Sequence, residues 1–153
     1  KAAFYARFEP GELKAVGYVG GKPASQWILE TAGPPVAVRL SVDRPRIQAD
    51  GDDLAYVTAE LVDAKGRPTY APDADKLLTF KVEGAGVLAG VGNGNPTALE
   101  SFQSDKRSTF RGRAVAVIRA GHRPGAVRME VTGAGLTPAV ATIAAAPPPN
   151  LLP

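Results

Sequence analysis

Apolar side chains recur along this chain at every second position, in short runs broken by glycine, proline, asparagine and aspartate. In VAVRLSV (36–42) the pattern sends Val36, Val38, Leu40 and Val42 inward and Arg39 outward. In LAYVTAELVD (54–63) it places Ala55, Val57, Ala59 and Leu61 on one face, and Tyr56, Thr58 and Glu60 on the other. RIQAD (46–50), LLTFKVEG (77–84) and GVLAGVG (86–92) continue the series. FRGRAVAVIRA (110–120) follows, with Ala114, Ala116 and Ile118 opposing Val115 and Val117. GAVRMEVTG (125–133), carrying Val127, Met129 and Val131, and PAVATIAA (138–145) close it. A period of two is the mark of a strand, and few stretches show the three-to-four spacing of an amphipathic helix. Seventeen glycines and fourteen prolines punctuate these runs. Seven or eight short strands between turn signals predict an all-β chain whose main domain is an Ig-like β-sandwich.

The first residues read as a separate piece. AAFYARF predicts a strand with Phe4, Ala6 and Phe8 on one face, and EPGE a turn after it. LKAVGYV and SQWILET then predict two strands joined at GGK by a two-residue hairpin turn. Three strands are about the minimum for a self-supporting sheet, and one face would still need a covering layer. Residues 1–33 are therefore read as the tail strands of a preceding β-sandwich. TAGPP, from Thr31 to Pro35, marks the boundary, because consecutive prolines bias the chain to an extended, stiff connector. The expected organisation is a partial sandwich at 1–33, a linker at 34–36, the Ig-like sandwich at 36–145, and a proline-rich tail at 146–153.

Composition narrows the function classes. At 153 residues the chain is long enough to bury roughly 70% of its unfolded surface without a metal or disulfide staple. It has no cysteine, which excludes thiolate nucleophiles and cysteine-held zinc. No apolar run approaches the roughly 20 residues that span a bilayer as a helix. The net charge of +3 is spread evenly: of 18 basic and 15 acidic residues, four and three precede Val36. That is not the one-sided basic face of a nucleic-acid binder. The one local concentration, SDKRSTFRGR, holds Lys106, Arg107, Arg111 and Arg113, and reads as a solvated strand face, with alternation turning Arg111 and Arg113 outward. A chain that opens on Lys1 rather than methionine is expected to begin elsewhere in its native form.

Candidate chemistry is sparse. His122, the single histidine, lies in RAGHRPG between two strands, where a surface turn is expected. No serine sits in a strand–turn–helix elbow that it could serve, and an imidazole metal site would need a second histidine. DGDD (Asp50 to Asp53) opens like a calcium loop, but the remaining ligands do not follow at the required spacing. Glu60, Asp63, Glu83 and Glu100 are available carboxylates that no pattern pairs for glycoside hydrolysis. Trp27 and Tyr18, either side of the GGK turn, could share a sheet face as a sugar-stacking platform, or Trp27 could fill a core. The stretch GVGNGNP offers Gly90, Gly92 and Gly94 with Asn93 and Asn95, yet no lysine and no helix follow to make a phosphate loop. By its residue types it is a run of tight turns or a bulge.

In combination, these stretches resemble a known family. ADGDDLAYVTAELVDAKGRP, FKVEGAGVLAGVGNGNPTALESF and DKRSTFRGRAVAVIRAG together resemble the C-terminal Ig-like domain of bacterial glycoside hydrolase family two enzymes of the β-galactosidase type. The upstream stretch from Tyr5 to Pro35 looks like the end of the sandwich that precedes it in those enzymes. The resemblance implies an accessory region of a retaining glycosidase, periplasmic or secreted, whose catalytic glutamates lie in an upstream barrel. It carries no catalytic, cofactor or metal residue onto this chain. The implied partners are the catalytic domains of the same parent chain, with a carbohydrate or a homo-oligomer contact also open, and neither nucleic acid nor a membrane span. Asn93, Asn95 and Glu100 are the residues singled out for a cleft or interface loop. Two other readings stay open: a stand-alone carbohydrate-binding module, and an adhesin-type bacterial Ig-like repeat.

Overall fold

The computed structural model describes Ala3 and residues 5–148, all strand, turn and loop apart from one short 3-10 helix at Pro72–Ala74. The chain divides into two compact units, Lys1–Ala32 and Gly33–Pro153.

The first unit is an antiparallel hairpin of β1 (Glu12–Val19) and β2 (Lys22–Glu30). Gly20 and Gly21 make its turn with φ of 57° and 77°, the left-handed pair that a two-residue hairpin turn of type I′ requires. At the open end the Thr31 N–H donates to the Gly11 carbonyl, and the Gly11 N–H to the Thr31 hydroxyl. The register pairs Leu13 with Leu29 and Ala15 with Trp27, which makes one face apolar. Tyr18 pairs with Pro23 beyond an irregularity, and by alternation along β1 it lies on the face opposite Ala15 and Trp27. The aromatic pair considered for sugar stacking is thus split between two faces. Among the described residues of AAFYARF no strand forms: Ala3 and 5–9 join no ladder, and Ala2 and Phe4 lie outside the described residues. Alternation marks strand-forming residues, but a strand also needs a neighbour to take its N–H and C=O groups.

The second unit is a two-sheet sandwich. One sheet orders β3 (Ala37–Val42), β5 (Leu54–Val62), β9 (Arg113–Ala120) and β7 (Gly86–Gly92). The other orders β4 (Arg46–Gln48), β11 (Ala139–Ala146), β10 (Gly125–Gly133), β6 (Leu77–Gly84) and β8 (Lys106–Ser108). All pairings are antiparallel except β4 with β11. The inward faces predicted for β5, β9 and β10 lie in the observed core, with Ala55, Val57, Ala59, Leu61, Ala116, Ile118, Val127, Met129 and Val131 wholly buried, whereas Val36, also expected inward, is exposed ahead of β3. The core draws many alanines from β5 and β9, along with Leu61 and Ile118, and draws Leu78, Phe80, Met129 and Ile143 from the other sheet. Alternating small and large residues lets two sheets interdigitate without voids. The chain crosses from β6 to β7 through Ala85 alone. Gly84 turns there at φ 95°, where an added Cβ would lie 2.1 Å from the Ala126 carbonyl oxygen.

Three local expectations change. The strand expected from Phe110 starts at Arg113, because Arg111 (φ 50°) and Gly112 (φ 74°) form a left-handed turn. The Asp75 carboxylate holds that turn, accepting the N–H groups of Arg111 and Gly112 and the Thr109 hydroxyl. Arg111 is therefore not a strand residue. Ala146, placed in the tail, ends β11, where its carbonyl accepts the Ala49 N–H. The connector is stitched to the sandwich: Val36 donates to the Val62 carbonyl, and the Gly33 N–H donates to Asp63 at 2.9 Å.

Asp63 closes β5. Besides Gly33, its carboxylate accepts the backbone N–H groups of Lys65 and Arg67 and the Arg67 guanidinium. The Gly33 bond foremost, with those from Arg67 and Lys65, holds its carboxyl far below the usual aspartate range, against the opposing effect of burial.

Two outcomes are expected. Ile118→Ala empties a wholly buried site and should cost about 2–5 kcal/mol in a chemical denaturation experiment. Because folding lowers the Asp63 pKa, its contribution is present above the ordinary aspartate value of 3.8 and is lost as pH falls below it. The wild-type midpoint should therefore drop more steeply between pH 5 and 3 than that of Asp63→Asn; parallel curves would refute this.

Candidate functional site

The loop that joins β7 to β8 contains the three residues singled out from sequence, and all three face into it. The Asn93 side-chain amide donates to the Ser108 carbonyl at 2.7 Å. Its Oδ1 accepts the Asn95 N–H and, at 3.2 Å, an Arg107 Nη2–H. Asn95 Oδ1 accepts both the N–H and the hydroxyl of Thr97, an Asx turn that bends the chain back. Glu100 Oε1 accepts the N–H and hydroxyl of Ser108, at 3.0 and 2.7 Å. Farther on, the Phe102 carbonyl accepts the Val91 N–H, so the returning chain lies along the edge of β7. Gly90 permits that approach: an added Cβ would stand 3.1 Å from the Phe102 carbonyl oxygen.

Arg107 is the residue that sequence reasoning placed wrongly. It was read as part of a solvated face, yet it is wholly buried. The three-residue strand β8 pairs Arg107 with Leu78, itself a core residue, so the register turns the arginine toward the interior. Nη1 donates to the Glu100 carbonyl at 2.8 Å, Nη2 reaches Asn93, and the Phe102 ring covers the guanidinium at 4.9 Å. Nε makes no hydrogen bond but lies 3.6 Å from Glu100 Oε2. One cation thus ties together the start, middle and end of the loop. A longer alternating run around Lys106–Ser108 would have revealed its inward register; three residues are too few to show a period.

The other carboxylates are equally committed. Glu60 bridges Arg39 and Arg113 across β3, β5 and β9 at 2.5 and 2.6 Å, and Arg113 stacks on Tyr70. Burial raises the Glu60 pKa, but the two arginines outweigh it and hold the group ionised. Glu83 is lowered by its hydrogen bond from Lys81. Glu100 is lowered chiefly by the Ser108 hydroxyl, with burial opposing and the Ser108 N–H and Arg107 assisting. In DGDD, Asp50 accepts the N–H groups of Asp52 and Asp53, while Asp53 accepts those of Gln48 and Leu54 and pairs with Arg44. Asp53 lines an open hollow of about 430 Å³ with Arg44, Arg46, Gln48 and Pro147, and its carboxyl too is held low, first by Gln48. A glycosidic general acid needs a raised pKa, and every one of these groups moves the other way. His122 is exposed and rests its ring against Gly51. Among the described residues, no group of three or more histidine, aspartate or glutamate side chains is placed to hold a metal. The arrangement braces the loop between β7 and β8 through side-chain hydrogen bonds.

Comparison with known proteins agrees with that geometry. A family model described as glycoside hydrolase family 2 C-terminal domain 5 matches residues 38–142. A β-galactosidase of Bacteroides ovatus is 42% identical over 143 residues, which are 94% of this chain and 17% of that protein. A β-galactosidase of Thermoanaerobacter pseudethanolicus is 30% identical over 79% of this chain and 14% of its own length. Among solved structures, a glycosyl hydrolase family 2 member from Bacteroides cellulosilyticus superposes with a TM-score of 0.79 at 40% identity, covering 91% of this chain and 18% of that one. The chain therefore spans less than a fifth of these relatives.

Removing an acceptor from the buried guanidinium should be costly. Asn93→Ala is expected to destabilise the sandwich by about 1–3 kcal/mol. Arg107→Lys, which loses the forked contacts and the ring stacking, should cost more. Both variants should be cut faster by protease between residues 93 and 105, and unchanged cleavage would show that the network does not hold the loop.

Proposed function

The chain belongs to the glycoside hydrolase family 2 C-terminal domain 5 family, and from that membership we propose that it serves as the non-catalytic accessory region of a larger β-galactosidase-like glycosidase. The observation that carries this reading is the family match over residues 38–142 in a chain spanning 17% of its B. ovatus relative. The lowered carboxyl groups support it, since a retaining glycosidase needs one carboxylic acid kept protonated. The hairpin of β1 and β2 supports it as well. Trp27 is 70% exposed and Leu13 and Leu29 more than half exposed, and an isolated two-stranded sheet is marginal in water. We read it as the closing strands of the domain that precedes the sandwich in the parent chain. The role of the region is then to pack on the remainder of that chain and support its substrate cleft or assembly. A periplasmic or secreted location belongs to the same proposal and rests on the family resemblance.

The test is to recover the native protein with an antibody against this chain and measure its mass and its hydrolysis of a nitrophenyl β-galactoside. The expected product is several times heavier than 15.8 kDa and active, while the 153-residue chain alone is inactive. A native product near 15.8 kDa, or a heavy product made of repeated Ig-like domains without glycosidase activity, would overturn the proposal.

A further inference from the structure

We propose that the loop between β7 and β8 is a docking finger whose contact residue is Leu99, seated in an apolar recess on the rest of the parent polypeptide. This rests on the accessory reading above and names the surface through which the accessory region engages its parent. A single exposed leucine is ordinary on a protein surface. Leu99 differs in how it is held. Asn93, Asn95, Glu100 and Arg107 turn their polar groups into the loop, and the residue between them is 99% exposed. Burying a guanidinium is expensive unless its acceptors are fixed, so a fold that carries Arg107 inside also fixes the course of the chain from Asn93 to Phe102. The leucine is displayed on a braced support, and little conformational freedom remains to be lost on contact.

The chemistry of the tip limits what it can meet. Pro96, Thr97, Ala98 and Leu99 supply no aromatic ring to stack on a sugar and no charge to steer an ion. Phe102, 62% exposed, lies back on Arg107 at the base and widens the apolar surface. The complement is an apolar protein recess. Area decides whose recess it is. Two free molecules need about 1,200–2,000 Å² of buried surface for a stable interface, far more than one finger offers. A recess on the same polypeptide needs much less, because the covalent connection has already met most of the entropic cost of association. With more than four-fifths of each family relative's length lying outside the region matched here, that polypeptide has ample surface to provide it.

Hydrogen exchange of the amides at 97–101 tests this, compared between the 153-residue chain and the native full-length protein. Exchange should be at least about tenfold slower in the full-length protein. Leu99→Asp there should restore the rate of the shorter chain. The same substitution should leave the melting temperature of the shorter chain unchanged, since the side chain touches nothing within it. Equal exchange in the two proteins overturns the proposal, as does protection that survives Leu99→Asp. Protection of the shorter chain that rises with its own concentration, or with added galacto-oligosaccharide, would assign the tip to a second copy or to sugar and overturn it as well. The two readings fail separately: a native protein no longer than this chain removes the parent altogether, whereas a long glycosidase with an unprotected loop removes only the docking finger.

Discussion

The guanidinium of Arg107 lies where a three-residue strand turns its side chain toward the core, and the surrounding loop is arranged to answer that charge. A cation in a low-dielectric interior has to be met by oxygen atoms in fixed positions. Here they come from the Glu100 carbonyl, the Asn93 side chain and the nearby Glu100 carboxylate, with a ring face from Phe102. These groups span the loop, so satisfying one residue sets the path of ten. The glycines follow from the same requirement: Gly90 lets the Phe102 carbonyl reach the edge of β7.

This use of charge runs through the sandwich. Asp63 gathers the connector and the turn after β5, Asp75 holds the left-handed turn before β9, and Glu60 ties two arginines across three strands. Each carboxylate accepts hydrogen bonds that steady the neighbouring turns and strands. A catalytic carboxyl has to be kept protonated or exposed to a reacting atom. The sandwich uses these carboxylates to fix its turns and to tie its strands together.

The two units differ in completeness. The sandwich buries both inner faces and closes its own core, in which alanines of β5 and β9 share one cluster with Phe80 and Met129. The hairpin leaves its Leu13, Leu29, Ala15 and Trp27 face open. The first kind of surface accounts for a stable fold. The second kind leaves Trp27, Leu13 and Leu29 exposed within the hairpin.

Much of the fold was legible in the sequence, because a buried strand face declares itself by period: Ala55, Val57, Ala59 and Leu61, or Val127, Met129 and Val131, are inward both in the pattern and in the structure. The GGK turn was legible for a related reason, since only glycine takes two successive left-handed conformations without strain. The family, too, could be read from GVGNGNPT followed by ESF, although what those residues do could not. Only the tertiary structure decided that Asn93, Asn95 and Glu100 brace the loop, that Leu99 stands exposed on it, and that Arg107 is buried among them. Alternation needs length to be seen, and β8 has three residues; its register is set by hydrogen bonds to β6, a strand almost thirty positions away. The strand expected at the N-terminus failed for the complementary reason, because pattern can mark a segment able to pair but cannot supply the partner.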